Sequence, residues 1–359
     1  MVTTEIGEAS IQCQTCQYEA KLQLLNKTKK KITHSLAADD GLLVERFNTP
    51  EALNAFYAAN GWQADFRQIE PGEIEITVMG RCVGNVEFFR ELISGRITSS
   101  TESPCEIFSL VLSAGGSAGR IHGRELGMND LLLAPPCTKL EIVPSAACDV
   151  LTIQIPAAKF DDYATVLGAE ESFDIKSQPT WYSGPAMNVD GIRHLVLATL
   201  TPSAILPEPE SIDWTLISTL LGTLKSQDME KQNRDPYGRA EKHSIVRHAR
   251  NYIHDNLGDD IRVETLCEHC GVSLSTLQRL FHRELGISPR DYILAARLTD
   301  VRRRLWDDNF NSETIAVVAM DSGFTHMGRF SGQYRNHFGR LPSEDRDLRE
   351  QLIKKHRAK

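Results

Sequence analysis

A chain of 359 residues, 41% hydrophobic and 25% charged, is long enough for two or three domains and has the composition of a globular protein rather than a fibrous or disordered one. It has no long apolar run, and its start, MVTTEIGEAS, lacks the basic and apolar regions of a signal peptide, so a cytoplasmic chain without a membrane partner is expected. The formal net charge of −8 is unevenly placed: residues 1–240 hold 20 Lys+Arg against 31 Asp+Glu, and residues 241–359 hold 20 against 17 with eight of the eleven histidines. Nucleic acid is therefore not excluded as a partner, since only the carboxy-terminal portion has to meet it.

Residues 1–40 are polar, with a basic run KTKKK at 27–31 that reads as a solvated arm. Thr49, Pro50 and Glu51 then form a helix start, in the order cap, first position and favourable acidic charge. Leu53, Phe56 and Tyr57 give that helix an apolar face for a neighbouring sheet.

From residue 65 to residue 156 the pattern changes to strands. EIEITVMG alternates Ile74, Ile76 and Val78 with Glu73, Glu75 and Thr77, and EIFSLVLSAG, DLLLAPP, TKLEIVP and DVLTIQIP follow with turn residues between them. Many short strands at close spacing predict a barrel or sandwich. The region offers only His122 and Glu125 as metal ligands, which do not complete a coordination sphere, and there is no nucleophile elbow or phosphate loop. No catalytic residue, metal or cofactor is expected. The reading that remains is a cup for a small organic effector. Trp62, Arg67, Phe88, Phe108 and His122 are candidates for such a pocket, and none is assigned to it.

Residues 157–226 return to helical spacing, in segments suited either to docking on the barrel or to forming a homodimer. The stretch 226–242 is polar, carries Pro236 and Gly238, and reads as a linker. Eight cysteines in a cytoplasmic chain are expected as thiols. Two pairs have Cys-x-x-Cys spacing, but Cys267 and Cys270 already fit a buried helix face and Cys13 and Cys16 lie in a polar stretch.

The last third contains one unit written twice. Leu266, Cys267, Cys270, Gly271, Val272 and Ser273 lead into Leu277, Phe281, Gly286 and Pro289; Val318, Ala319, Ser322, Gly323, Phe324 and Thr325 lead into Phe330, Tyr334, Gly339 and Pro342. The offset is 52 residues up to the glycine and 53 from the aromatic onward, one residue being inserted after the turn. Each copy reads as a short helix, a glycine corner where positive φ is needed, and a second helix with a polar outer face. Ser273 and Thr325 are the expected caps, and Leu274, Leu277, Leu280, Phe281 and Leu285 the inward residues of the first copy. Between the copies, 289–306 reads as one long helix that sets their relative angle. A polar second helix of this kind is how a recognition helix is offered to the DNA major groove.

The segments GVSLSTLQRLFHRELGISPRDYILAARL and GFTHMGRFSGQYRNHFGRLPSE resemble the paired helix-turn-helix domain of AraC/XylS-type transcription regulators over about residues 241–345. GRELGMNDLLLAPP resembles, more weakly, the cupin-like sensor domain usual ahead of that unit. The resemblance implies an α+β multidomain protein, with an amino-terminal cupin-like β-barrel and flanking helices and a carboxy-terminal all-α domain of two helix-turn-helix units joined by a linker helix. The expected division is 1–226 for sensing and dimerisation, 227–240 as linker, 241–345 for DNA binding and 346–359 as a charged tail. The resemblance implies a DNA-binding regulator, expected to be an activator that responds to a small effector and works with RNA polymerase. The alternative is an effector-independent regulator whose barrel only dimerises.

Ser275, Thr276, Gln278 and Arg279 are expected to read base edges, arginine suiting guanine and glutamine adenine. His326, Met327 and Arg329 are expected to do lesser reading, and His282 and Arg335 to touch phosphate. The chain departs from the family pattern at Cys267, where alanine is usual, and in the second recognition helix, where Gly328, Ser331 and Gly332 align with Ser275, Gln278 and Arg279. Glycines present no side chain to a base.

Overall fold

The computed structural model describes residues 41–357 apart from 117, 145–146, 167–178, 184–185, 203–207, 209–210, 213, 217 and 220–237. The basic run at 27–31, Cys13, Cys16 and most of the expected linker lie outside the described residues. The amino-terminal part contains β1 (Leu43–Phe47), α1 (Pro50–Ala59), β2 (Gln63–Gln68), β3 (Glu75–Val83), β4 (Val86–Ser94), β5 (Ile97–Glu102), β6 (Ile107–Ser113), β7 (Arg120–Ile121) and β8 (Arg124–Glu125). It continues through β9 (Asp130–Ala134), β10 (Lys139–Val143), β11 (Ala147–Pro156), α2 (Ala157–Val166), β12 (Thr180–Ser183) and α3 (Ala186–Thr199).

The expected β-barrel takes the form of two antiparallel sheets facing each other across a shared core. One has the order β1-β3-β4-β11-β6-β9-β12, the other β2-β5-β10-β7-β8. Ile76, Val78, Ile93, Val111, Leu132 and Val150 of the first meet Phe66, Ile97, Ile121 and Leu140 of the second. The outer face of the larger sheet, with Phe88, Leu110, Leu112, Leu151 and Ile153, is covered in turn by Phe160 of α2 and by Val189, Ile192 and Val196 of α3. Burial on both faces explains why strands such as FSLVL read as continuous apolar runs instead of alternating. Helix α1 starts as its sequence predicts, with the Thr49 side chain accepting from the Ala52 amide at 3.2 Å.

All eight cysteines were expected as thiols, and this does not hold for one pair. Cys105 and Cys137, on the connections β5–β6 and β9–β10, form a disulfide with Cα atoms 4.4 Å apart. The strand arrangement brings together two loops 32 residues apart in sequence. Cys82, Cys148, Cys267 and Cys270 remain thiols.

The carboxy-terminal part is helical: α4 (Gly238–Asp255), α5 (Val263–Cys270), α6 (Leu274–Leu285), α7 (Pro289–Leu305), α8 (Ile315–Asp321), α9 (Met327–Phe338) and α10 (Pro342–Arg357). The last helix thus runs through most of the expected tail. Helix α7 is shared by two cores. Its Tyr292, Ile293 and Ala296 pack with Val246, Ile253, Leu266, Leu277 and Phe281, while its Leu298, Val301 and Leu305 pack with Val318, Phe330 and Tyr334. Each buried large side chain contributes about 1.5–3 kcal/mol to holding this arrangement.

The two parts also touch. Ile69 and Val143 join the first helical core. The Gln68 side chain donates to the His337 carbonyl at 3.1 Å, Thr299 Oγ1 donates to the Gln68 carbonyl at 3.3 Å, and Arg250 Nη1 lies 3.3 Å from Glu141 Oε2.

Candidate nucleic-acid interface

Helices α5 and α6 make the first unit. Gly271 takes φ 65°, in the left-handed region that a side chain disfavours, and Ser273 caps α6 by accepting from the Thr276 amide at 3.3 Å. Leu277, Leu280, Phe281 and Leu285 are buried, so the opposite face of α6 is turned outward. Ser275, Gln278, Arg279 and His282 are exposed there, and Thr276 is half-buried. Leu274 departs from its expected inward position at 44% exposure, because the first turn of α6 projects past the edge of the core.

Helices α8 and α9 make the second unit around Gly323, at φ 86°. Thr314 caps α8, accepting from the Val317 amide at 3.3 Å. Thr325 is not the cap of α9: that position falls to His326, without a side-chain hydrogen bond, because the helix starts one residue later than in the first unit. The residue inserted after the turn is accommodated here. His326, Arg329 and Arg335 are exposed, while Met327 is half-buried against the second core. A Cβ placed on Gly328 or Gly332 would meet nothing within 4 Å, so packing does not require glycine at either position.

The sheets pack behind these faces. Arg96 of the β4–β5 turn donates to the Leu285 carbonyl at 3.2 Å, at the carboxy-terminal end of α6. Glu284, 6% exposed, receives Arg283 from its own helix and lies 3.9 Å from both Arg120 and His243; burial pushes its carboxyl up, but hydrogen bonds from His243 and Arg283 outweigh it and hold the carboxyl below the ordinary range. The outward residues of α6 and α9 are left uncovered by this contact.

Sequence reasoning missed the residues that join the parts, namely Glu51, Glu141, His243, Arg250 and Arg302, since nothing in their spacing sets them apart. Of the pocket candidates, Phe88 and Phe108 sit on the outer face of the larger sheet. Arg67 points to His254 of α4, and His122, at φ 50° on the β7–β8 turn, brings its ring 6.0 Å from that of His243. Trp62 alone lies beside inward-facing rings, 6.0 Å from Tyr57.

Two recognition-type helices on one shared helix, each with a polar and basic outer face, define a paired helix-turn-helix DNA-binding protein. A helix-turn-helix domain family matches residues 266–347. The XylDLEGF operon transcriptional activator 3 of Pseudomonas putida is 27% identical over 259 residues, which are 70% of this chain and 75% of that protein. Activator 2 of the same operon and organism is 33% identical over 133 residues, 37% of this chain and 81% of that protein. A solved regulator from Chromobacterium violaceum with an AraC-type DNA-binding domain is 31% identical, covering 31% of this chain and 96% of that one with a TM-score of 0.29.

The chain belongs to the AraC/XylS-type transcription regulators. It is a DNA-binding regulator and not an enzyme. Among the described residues no helix is long and apolar enough to cross a membrane.

Proposed function

We propose that this regulator is an activator that binds two successive major-groove turns through α6 and α9 and responds to a small organic effector held by its amino-terminal sheets. Residues 1–226 form the sensing and dimerising part, 227–240 the linker and 241–345 the DNA-binding part. The observation that carries the reading is the uncovered state of both outward faces while the sheets grip α4, α6, α7 and α9 from the other side. A change in the sheets can thus reach the DNA-binding helices without blocking them, as coupling between two sites requires.

Ser275, Thr276, Gln278 and Arg279 read base edges, with His326, Met327 and Arg329 reading less and His282 and Arg335 on phosphate. If both helices enter one face of the duplex, their centres of contact are about 34 Å apart and one subunit spans roughly two turns. Activation further engages RNA polymerase, and the helices after the barrel serve a homodimer. The P. putida relatives are activators by name, which supports the direction of control.

The test is binding of the purified protein to DNA upstream of its own and neighbouring genes at fixed salt, with and without cell-extract metabolites. Specific binding over a two-turn site that shifts with a metabolite is expected. Specific binding indifferent to all metabolites would leave the sheets with dimerisation alone.

A further inference from the structure

The inner face of the larger sheet is not uniformly packed. One row across it runs Gly80, Phe89, Thr152, Val111, Leu132 and Trp181, each paired with the next. Val111 and Leu132 are buried between the sheets, so Thr152 faces inward too. It lies on a central strand, opposite a second sheet, and is nevertheless half-buried, as are Phe89 and the facing Ala64 of β2. Partial exposure at the middle of a sandwich means a recess between the sheets.

The next row is Val78, Glu91 and Val150, which turns Glu91 inward beside that recess. The Tyr57 hydroxyl of α1 donates to Glu91. Burial pushes the Glu91 carboxyl up, the Tyr57 hydrogen bond offsetting part of the effect, and burial with the Glu91 charge pushes Tyr57 well above its ordinary value. On the row beyond Thr152, Ser109 is 1% exposed and its Oγ has no hydrogen-bond partner. Ser99 and Thr101 of β5 stand on the opposite wall, paired with Phe66 and Ala64. The Tyr57 ring is 5.1 Å from Phe66.

Strand alternation turns every cation of the neighbouring strands away. Arg90 is on the outer face with Asp149, Arg81 donates to the Thr199 carbonyl, and Arg67 faces α4. Among the described residues, no Lys, Arg or His occupies an inward position of β2–β6 or β9–β11. Arg124 of β8 stacks over Trp181 at the far end of the row, with β11, β6 and β9 between β12 and β4. Beside Glu91, a carboxyl with aromatic rings, hydroxyls and no neighbouring cation repels an anion and suits a positive group, which rings attract as well.

We propose that this recess holds a small organic amine, its ammonium paired with Glu91 and its apolar body between the rings of Tyr57 and Phe89. The assignment rests on the effector reading above and names its chemical class. Binding replaces the missing counter-charge of Glu91.

The test is calorimetric titration of the full chain at pH 7 with phenethylamine, 2-phenylethanol and phenylacetate, which share one body and differ in charge. Phenethylamine is expected to bind at least about tenfold tighter than the other two. Glu91→Gln, checked for fold by circular dichroism, should bring all three within about threefold, and Tyr57→Phe should keep the preference. Absence of phenethylamine binding, tighter phenylacetate binding, or a preference that survives Glu91→Gln would overturn the amine assignment. Operator binding with cell-extract metabolites, measured on the same protein, separates the readings. A metabolite shift beside a failed titration removes only the amine class, and the loss of every metabolite shift removes the effector reading itself.

Discussion

Arg302 Nε lies 3.1 Å from Asp345 Oδ2, joining the helix between the two helix-turn-helix units to the start of the last helix at a point where the residues are 3% and 0% exposed. Glu51 of α1 adds a second carboxylate at 3.5 Å, and the guanidinium stacks 4.6 Å over Phe338. Removing Arg302 takes this cation from the buried Glu51 and leaves the buried Asp345 with only the more distant Arg340, at 3.6 Å. Arg302→Ala should therefore cost about 3–5 kcal/mol in urea unfolding. A loss below about 1 kcal/mol would mean that the pair is not the tie it looks to be.

Two buried histidines give the stability a pH dependence. Burial lowers His337 to about 4, and burial with the nearby Arg67 and Arg250 lowers His254 to about 3. Both are held neutral in the fold and protonate more readily when unfolded. Their contribution is complete above the ordinary histidine value of 6.5 and is lost as pH falls from there through 4 and 3. For His337 alone the loss is on the order of 3 kcal/mol. Urea midpoints should fall steadily from pH 6.5 to pH 4.5, and His337→Gln should flatten the slope; equal slopes would reject this origin.

Arg279 is exposed in the middle of α6, where a fork of donors can meet a guanine. Arg279→Ala should weaken specific binding by about 1–3 kcal/mol and relax the preference at one position. Arg335→Ala should instead weaken all sequences alike and reduce the salt slope by about 1. Competition binding against single-base operator variants distinguishes the two, and unchanged preference in Arg279→Ala would remove its base-reading role.

Glycines of the second unit should respond in opposite directions. At Gly323, φ is 86° and a Cβ would come 2.4 Å from the Leu257 carbonyl oxygen and 2.8 Å from the Arg297 guanidinium. Gly323→Ala should destabilise by about 2 kcal/mol or more, since the backbone oxygen cannot step aside cheaply. Gly328 has open space and a helical backbone, so Gly328→Ala should stabilise by about 1 kcal/mol. Thermal unfolding of both variants checks the pair of signs.

What the sequence determined by itself is everything governed by local rules. The glycine corners at Gly271 and Gly323, the Ser273 and Thr49 caps and the inward Leu277, Leu280 and Leu285 of α6 follow from backbone freedom, capping and a period of 3.6, which act within a few residues. The doubled unit made the DNA-binding function legible before any coordinates. The cap of α9 was misjudged at Thr325 because an inserted residue shifts the helix start, and neither neighbour betrays the shift.

Only the tertiary structure decided the contacts between distant segments. Nothing near Cys105 announces Cys137, nothing near Arg302 announces Glu51, and β4 was not singled out, so the inward carboxyl of Glu91 went unnoticed. Strand order and the docking of the sheets on the helices bring these groups together. Those choices depend on burying whole faces, a sum over many residues that no short stretch of sequence displays.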